Sequence, residues 1–229
     1  MPQGGLPTNN SANIVGRIVS DFSFSHEYYG EGFFTFSVEV LRLSEASDIL
    51  PVTISERLLE GERFEEGTLV HITGQIRSYN NYVEVDKKNK LVLTIFAKDV
   101  ERLDSDSNLN PNEIMLNGFI CKLPIYRTTP FGREIADILL AVNRSYNKSD
   151  YIPCIAWGRN ARFAGRLKTG DQICISGRMQ SRAYQKKKDD GQILDKIAYE
   201  VSISKIETDV LSLKPEEAQD SLEETEDEI

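Results

Sequence analysis

The chain repeats itself. Shifting the 229-residue sequence by 102 positions lays Gly16 on Gly118, Ile18 on Ile120, Gly30 on Gly132 and Val40 on Val142, without a gap. Arg42 on Arg144, Asp48 on Asp150, Pro51 on Pro153 and Arg57 on Arg159 follow at the same offset. After one extra residue in the second copy the match resumes at 103, with Gly67 on Gly170, Gly74 on Gly177 and Ser78 on Ser181. Ile95, Val100 and Glu101 then stand opposite Val201, Ile206 and Glu207 at 106. Glycine and proline are the residues that backbone geometry restricts most, so their recurrence marks a shared backbone. The expected organisation is a disordered N-terminus at 1–12, a first domain at 13–103, a polar linker at 104–112, a second domain at 113–208 and a disordered acidic tail at 209–229.

Each copy must then fold within about 95 residues, a length that favours one small layered or barrel-like core. In the second copy, β-branched and alternating runs between turn residues predict five strands, at Glu113 to Lys122, Arg133 to Asn143, Asp150 to Trp157, Asp171 to Arg182 and Lys196 to Glu207. Gly158 to Gly165, with small and amphipathic residues, suits a short helix between the third and fourth. Five strands with a helix after the third is the layout of an OB-fold, a partly open barrel whose outer face and loops grip single strands. The expected class is all-β with one short helix per domain, as two tandem five-stranded OB-fold barrels. A β-sandwich is the alternative.

The net charge of −9 would argue against a nucleic-acid partner if it were evenly spread. It is not. Residues 1–110 hold 10 Lys/Arg against 17 Asp/Glu, residues 111–210 hold 16 against 11, and residues 211–229 hold 1 against 8. A basic segment therefore lies between two acidic ones. Cys121, Cys154 and Cys174 lack CxxC spacing, and two sit in apolar runs as small core residues would. No metal site, cofactor or disulfide is expected. His26 and His71 lack a carboxylate or second histidine at useful spacing and read as structural. No phosphate-binding glycine loop, HExxH or GxSxG motif is present, which points to a non-enzyme. No stretch is apolar enough to span a bilayer, and the first eleven residues lack the basic start and apolar run of a secretory leader, so the expected location is cytoplasmic and nucleoid-associated.

Strand periodicity sorts the side chains that carry chemistry. In the third strand of the second copy, Tyr151, Pro153, Ile155 and Trp157 share one face, while Ile152, Cys154 and Ala156 share the other. The second set is small and apolar as a barrel interior demands, so Tyr151 and Trp157 point outward. In the fourth strand Arg178, Gln180 and Arg182 share a face, and Tyr184 opens an expected mobile loop running Gln185, Lys186, Lys187, Lys188. Rings beside cations suit single-stranded nucleic acid: bases stack on the rings and Arg or Lys neutralises phosphate. Each has a plainer alternative. Trp157 could be a core tryptophan, Tyr146 a loop residue, the lysine run a solvated loop, and Arg178 and Arg182 partners of acids across strands.

These stretches, together with Asn117-Gly118, Arg127-Thr-Thr-Pro-Phe-Gly132, Leu140-Ala-Val-Asn-Arg-Ser-Tyr146, Ile155-Ala-Trp-Gly158, Lys168-Thr-Gly-Asp171 and Gly177-Arg-Met-Gln-Ser-Arg-Ala-Tyr184, resemble the bacterial single-stranded DNA-binding protein family in order and spacing, over nearly all of residues 113–207. The resemblance places the family's base-stacking positions on Tyr146, Tyr151, Trp157 and Tyr184. It implies binding to single-stranded DNA without sequence preference in replication, recombination or repair. The expected interface adds Phe131 and the cations Arg127, Arg133, Arg144, Arg159, Arg162, Arg178, Arg182, Lys186, Lys187 and Lys188. Family members usually present four OB-folds, which implies a homodimer here. They also usually end in a disordered acidic tail that recruits replication or repair proteins. Here the counterpart is Glu226, Asp227, Glu228 and Ile229, without the family's terminal Pro-Phe.

Across the repeat, Tyr146, Tyr151, Trp157 and Tyr184 face Ser44, Ile49, Ser55 and Asn81. Arg162, Arg133, Arg127 and Arg178 face Glu60, Glu31, Ser25 and Gln75. The first copy is therefore expected to be structural or to serve an interface. Tyr28, Tyr29, Tyr79 and Tyr82 leave open a separate aromatic platform there, and Tyr29 aligns with Phe131. Two other functions also stay open: an RNA-binding OB protein, and a replication or primosome accessory scaffold working through the acidic parts.

Overall fold

A computed structural model describes residues 9–42, 44, 46–61, 63–83, 88–104, 111–187, 191 and 193–208. The first domain runs β1 (Asn10–Ile18), β2 (Ser23–Tyr28), β3 (Glu31–Leu41), β4 (Ser47–Ser55), a 3-10 turn (Glu56–Leu59), β5 (Leu69–Val83) and β6 (Lys88–Arg102). The second runs β7 (Asn112–Ile120), β8 (Ile125–Thr128), β9 (Glu134–Arg144), β10 (Lys148–Trp157), helix α1 (Gly158–Ala164), β11 (Gln172–Lys187) and β12 (Ile193–Thr208). The strands join in the order β2-β3-β4-β6-β5-β1-β7-β11-β12-β10-β9-β8. Added β1–β3 and β7–β9 pairings close each half on itself, giving two five-stranded barrels.

Period-2 sequence makes these strands. Along β7, Ile114, Leu116 and Ile120 are buried while Glu113, Met115 and Phe119 face out. The repeated glycines sit where strands cross. A side chain at Gly16 or Gly118 would strike the carbonyl of Glu39 or Ala141 where the barrel closes. At Gly74 or Gly177 it would strike the carbonyl of Phe96 or Ser202, and the strand register slips at both points, as at a β-bulge.

The halves are related by a pseudo-two-fold axis that the register itself shows. Antiparallel β1 and β7 pair Asn10 with Leu116, Ala12 with Ile114 and Ile14 with Asn112. Ala12 and Ile114 are repeat equivalents, so the axis passes between them, and the outer two pairs exchange under it.

Four expectations about elements need correction. Residues 10–12, expected within a disordered terminus, belong to β1, because they are the strand that joins the domains. The linker expected to end at 112 stops short of Asn112, which starts β7: its side chain donates to the Met179 carbonyl at 2.7 Å and accepts from the Met179 N–H at 2.9 Å. The expected helix of the first domain is one 3-10 turn, closed at Gly61, whose φ of +87° suits glycine. The expected basic loop is largely strand, since β11 pairs with β12 out to Lys187 opposite Ile193. Lys188 and the tail residues Glu226, Asp227, Glu228 and Ile229 lie outside the described residues.

Candidate nucleic-acid interface

Strand β10 carries the first part of the site. Ile152, Cys154 and Ala156 are buried and Tyr151 and Trp157 stand on the opposite face, as the alternation predicts. Ile155, also on that face, is covered. Burial in this apolar interior pushes the Cys154 thiol pKa far up, so it behaves as a small hydrophobe. The Trp157 ring is 38% exposed and its indole N–H donates to Ser202 Oγ on β12 at 3.1 Å. That bond fixes the ring, so a base stacking on it meets a surface already in place. Tyr184, part-exposed on β11, extends the face along the β11–β12 ribbon. Phe131 is almost fully exposed in the β8–β9 turn.

The cations fall into three groups. Arg133 and Arg159 are exposed and make no salt bridge among the described residues. Arg127, Arg162 and Arg182 pair with Asp137 at 2.9 Å, Glu134 at 3.0 Å and Glu200 at 3.4 Å. Glu134 also accepts from the Tyr126 hydroxyl at 2.6 Å, which raises the phenol pKa. The Arg127 and Arg162 pairs are exposed enough to contribute only roughly 0.2–1 kcal/mol, so a phosphate can take over either guanidinium at small cost, whereas Glu200, the partner of Arg182, is buried. The third group, Arg144 and Arg178, is engaged elsewhere.

Asp48 and Asp150 are completely buried, and each is held by both domains. Asp48 accepts from Arg42 Nη2 at 2.6 Å and Nε at 2.7 Å in its own domain, and from Arg178 Nη1 at 3.1 Å and the Ser181 N–H at 2.8 Å across the junction. Asp150 accepts from Arg144 Nη1 at 3.4 Å in its own domain, and from Arg77 Nη1 at 3.0 Å and the Ser78 N–H at 2.7 Å across it. Burial raises the Asp48 pKa, but hydrogen bonds from Arg42 and the Ser181 backbone, with the Arg42 and Arg178 charges, outweigh it and leave the carboxyl below its usual value. Burial and the nearby Arg42 lower that of Arg178. Arg178 is thus a clasp residue first, and its remaining N–H reaches Gln180, itself bonded to Glu200. The clasp accounts for repeat identities that the sequence reading left unexplained: Arg42/Arg144, Asp48/Asp150 and Ser78/Ser181.

The four aromatics do not share one patch. Tyr146 is 94% exposed at the tip of the β9–β10 hairpin, where it and Asn147 have φ of +61° and +52°. It overhangs the first domain and lines a groove with His26, Tyr28 and Tyr79. Tyr151 lies between the two regions, its N–H bonded to Ser78 Oγ of the first domain at 2.7 Å. Among the described residues no group of three or more His, Cys, Asp and Glu could hold a metal ion, and no helix is long and apolar enough to cross a membrane.

Known proteins match the same part of the chain. The model of the single-strand binding protein family matches residues 111–209. "Single-stranded DNA-binding protein A" of Bacillus subtilis (strain 168) is 37% identical over 81 residues, which is 32% of this chain and 47% of that protein. "Single-stranded DNA-binding protein B" of the same organism is 36% identical over 81 residues, covering 32% of this chain and 72% of that protein. The chain spans about half the length of the first curated relatives it matches. The wild-type single-stranded DNA binding protein from Thermus aquaticus superposes with a TM-score of 0.68 at 19% identity, covering 87% of this chain and 92% of that one. A deletion mutant of it covers 91% and 98% at the same score. At that identity the likeness speaks for the fold, and it extends over both domains.

Proposed function

The chain belongs to the single-strand binding protein family, and from that premise we propose that it binds single-stranded DNA without sequence preference, mainly through its second domain, and so coats exposed strands during replication, recombination and repair. The observation that carries this is Trp157: a part-exposed indole pinned by Ser202 on a strand face, with Tyr151 and Tyr184 on the same domain and Arg133 and Arg159 free to meet phosphate. Bases stack on the rings and the backbone follows the cations. Arg127, Arg162 and Arg182 extend the positive path, and Lys186 and Lys187 add positive charge to β11. The protein acts as a binding protein in the cytoplasm, at the nucleoid. Four OB-folds, as two chains, form the working assembly, and the acidic tail takes replication or repair proteins.

Trp157 is the sole tryptophan, so its fluorescence reports this face alone. Titration with oligo-dT should quench it strongly, with duplex DNA leaving it nearly unchanged. Binding should weaken with salt at a log–log slope of about −0.7 for each phosphate neutralised. An unquenched Trp157, with no retention of the protein on a single-stranded DNA column, would overturn the proposal.

A further inference from the structure

Three acids hold arginines of the second domain's positive path, and they are not alike. Glu200 is buried and is tied to Gln180 Nε2 at 2.8 Å as well as to Arg182. Glu134 accepts from both the Tyr126 hydroxyl and Arg162. Asp137 has Arg127 as its one hydrogen-bonding partner among the described residues, and its side chain is 40% exposed against 51% for that of Arg127. The strand register places this last pair on the stacking face. Asp137 stands directly opposite Ile155, while Arg127 stands opposite Ile135 and Ile135 opposite Trp157. Residues opposite each other in neighbouring strands, and residues two apart along one strand, share a side of the sheet. Arg127, Ile135 and Trp157 therefore form one row across β8, β9 and β10, and Asp137 and Ile155 belong to the next row on the same side. Two strand spacings, about 10 Å, separate the backbone of Arg127 from that of Trp157. On charge alone, a carboxylate is out of place on a face that a polyanion crosses.

The first domain shows that acid and arginine go together. Ser25 and Thr35 take the positions of Arg127 and Asp137 there, whereas Asp48 and Asp150 of the clasp stand in both copies. Thr35 keeps the register, opposite Thr53 of β4, so the strand itself does not need the acid. We propose that Asp137 is a stand-in for phosphate: it holds Arg127 over β9 when no strand is bound, and a backbone phosphate of the strand displaces it on binding. The proposal rests on the second domain being a single-stranded DNA face. An arginine held in this way is already ordered when the strand arrives, so less side-chain entropy is lost on contact. The displaced carboxylate stays beside the bound phosphate and recaptures Arg127 when the phosphate lifts. Asp137 is thus a positioning residue that lowers affinity and speeds release of the strand.

The test uses the full chain with Asp137→Asn, which removes the charge with almost no change of shape, and Asp137→Thr, which copies the first domain at the same strand position. An unchanged melting temperature checks folding, and binding is read by Trp157 quenching with oligo-dT over a range of salt. Both variants should bind roughly three- to tenfold more tightly at low salt, because no ion pair has to break and no carboxylate repels the phosphate. The log–log salt slope should steepen by about 0.7, one more phosphate fully neutralised. Stopped-flow dissociation should slow by a similar factor. Glu113→Gln removes the same charge from an exposed position on β7, opposite Asn13 at the domain junction, and should change none of these. In an Arg127→Gln background the gain from Asp137→Asn should largely disappear. An equal gain with and without Arg127 would reduce Asp137 to a distant repulsion and overturn the exchange, as would unchanged or weaker binding by the folded Asp137 variants. No quenching of the unaltered protein by oligo-dT, with no retention on a single-stranded DNA column, overturns the single-stranded DNA function, and the stand-in with it.

Discussion

The two domains share a backbone and differ in what they put on it. Positions where strands cross or the clasp closes keep their residues: Gly16 and Gly118, Gly74 and Gly177, Asp48 and Asp150. Positions that look outward from the second barrel do not: Trp157 faces Ser55, and Tyr184 faces Asn81. Backbone contacts and buried charges leave few choices, because a side chain at the crossing or an unpaired buried carboxylate costs several kcal/mol. An outward ring costs the fold little to lose or move. The scaffold is thus held in both copies, while exposed rings stand on β10 and β11 in the second and on β2 and β5 in the first.

This contrast can be tested in order of expected effect. Trp157→Ala/Tyr184→Ala should lower single-stranded DNA affinity by roughly 2–6 kcal/mol, from about 1–3 per stacked base, as measured by oligo-dT titration with anisotropy readout. Survival of most affinity would remove the division of labour between the domains. Asp48→Asn should then cost about 3 kcal/mol in denaturant unfolding, since Arg42 and Arg178 lose their buried counter-charge, and Asp150→Asn should cost a similar amount because Arg144 mirrors Arg42 and Arg77, two residues along β5 from the counterpart of Arg178, supplies the second cation. Unequal costs would mean that one half of the clasp carries the junction. Acid should act through Asp48 in the same direction. Its folded pKa lies below the ordinary value of 3.8, so its contribution is full above that value and is lost as pH falls through the folded one. Thermal melting of the unaltered protein should show that acid limb, and Asp48→Asn should flatten it. The smallest effect belongs to Ser55→Ala/Asn81→Ala, the first-domain counterparts of the leading pair. They should move DNA affinity by less than about 0.5 kcal/mol.

The sequence made the repeat legible because glycine, proline and the Asp–Arg pairs leave a signal that survives change at every surface position. The inward and outward faces of β10 followed from alternation alone, and Ile155 broke the pattern because neighbouring structure covers it, which no single-strand period can reveal. Strands β2 and β8 were missed: they are short, all their residues are exposed, and they pair only at the barrel's rim, so neither carries an apolar stripe. Lys186 and Lys187 read as part of a loop because the run is polar, whereas a strand needs only its partner's backbone to pair with. From the sequence Tyr146 reads as one more stacking ring of the second domain or a loop residue; that it overhangs the first domain depends on the pseudo-two-fold and not on the chain around it. Asp48 and Asp150 could have been found: an identical acid at both repeat positions, six residues after an identical arginine, is a charge pattern without a surface reason.

The β1–β7 pairing has a bearing on concentration. Were the copies separate chains, β1 would be an open sheet edge, available to any strand it met, and the clasp would assemble only as fast and as completely as protein abundance allowed. Joined by the chain between Arg102 and Asn112, the halves meet at an effective concentration on the order of millimolar however dilute the cell keeps them. A pair of folds that cannot be diluted apart is available at full strength from the first molecule made, and its exposed edges are reduced to the outermost β2 and β8.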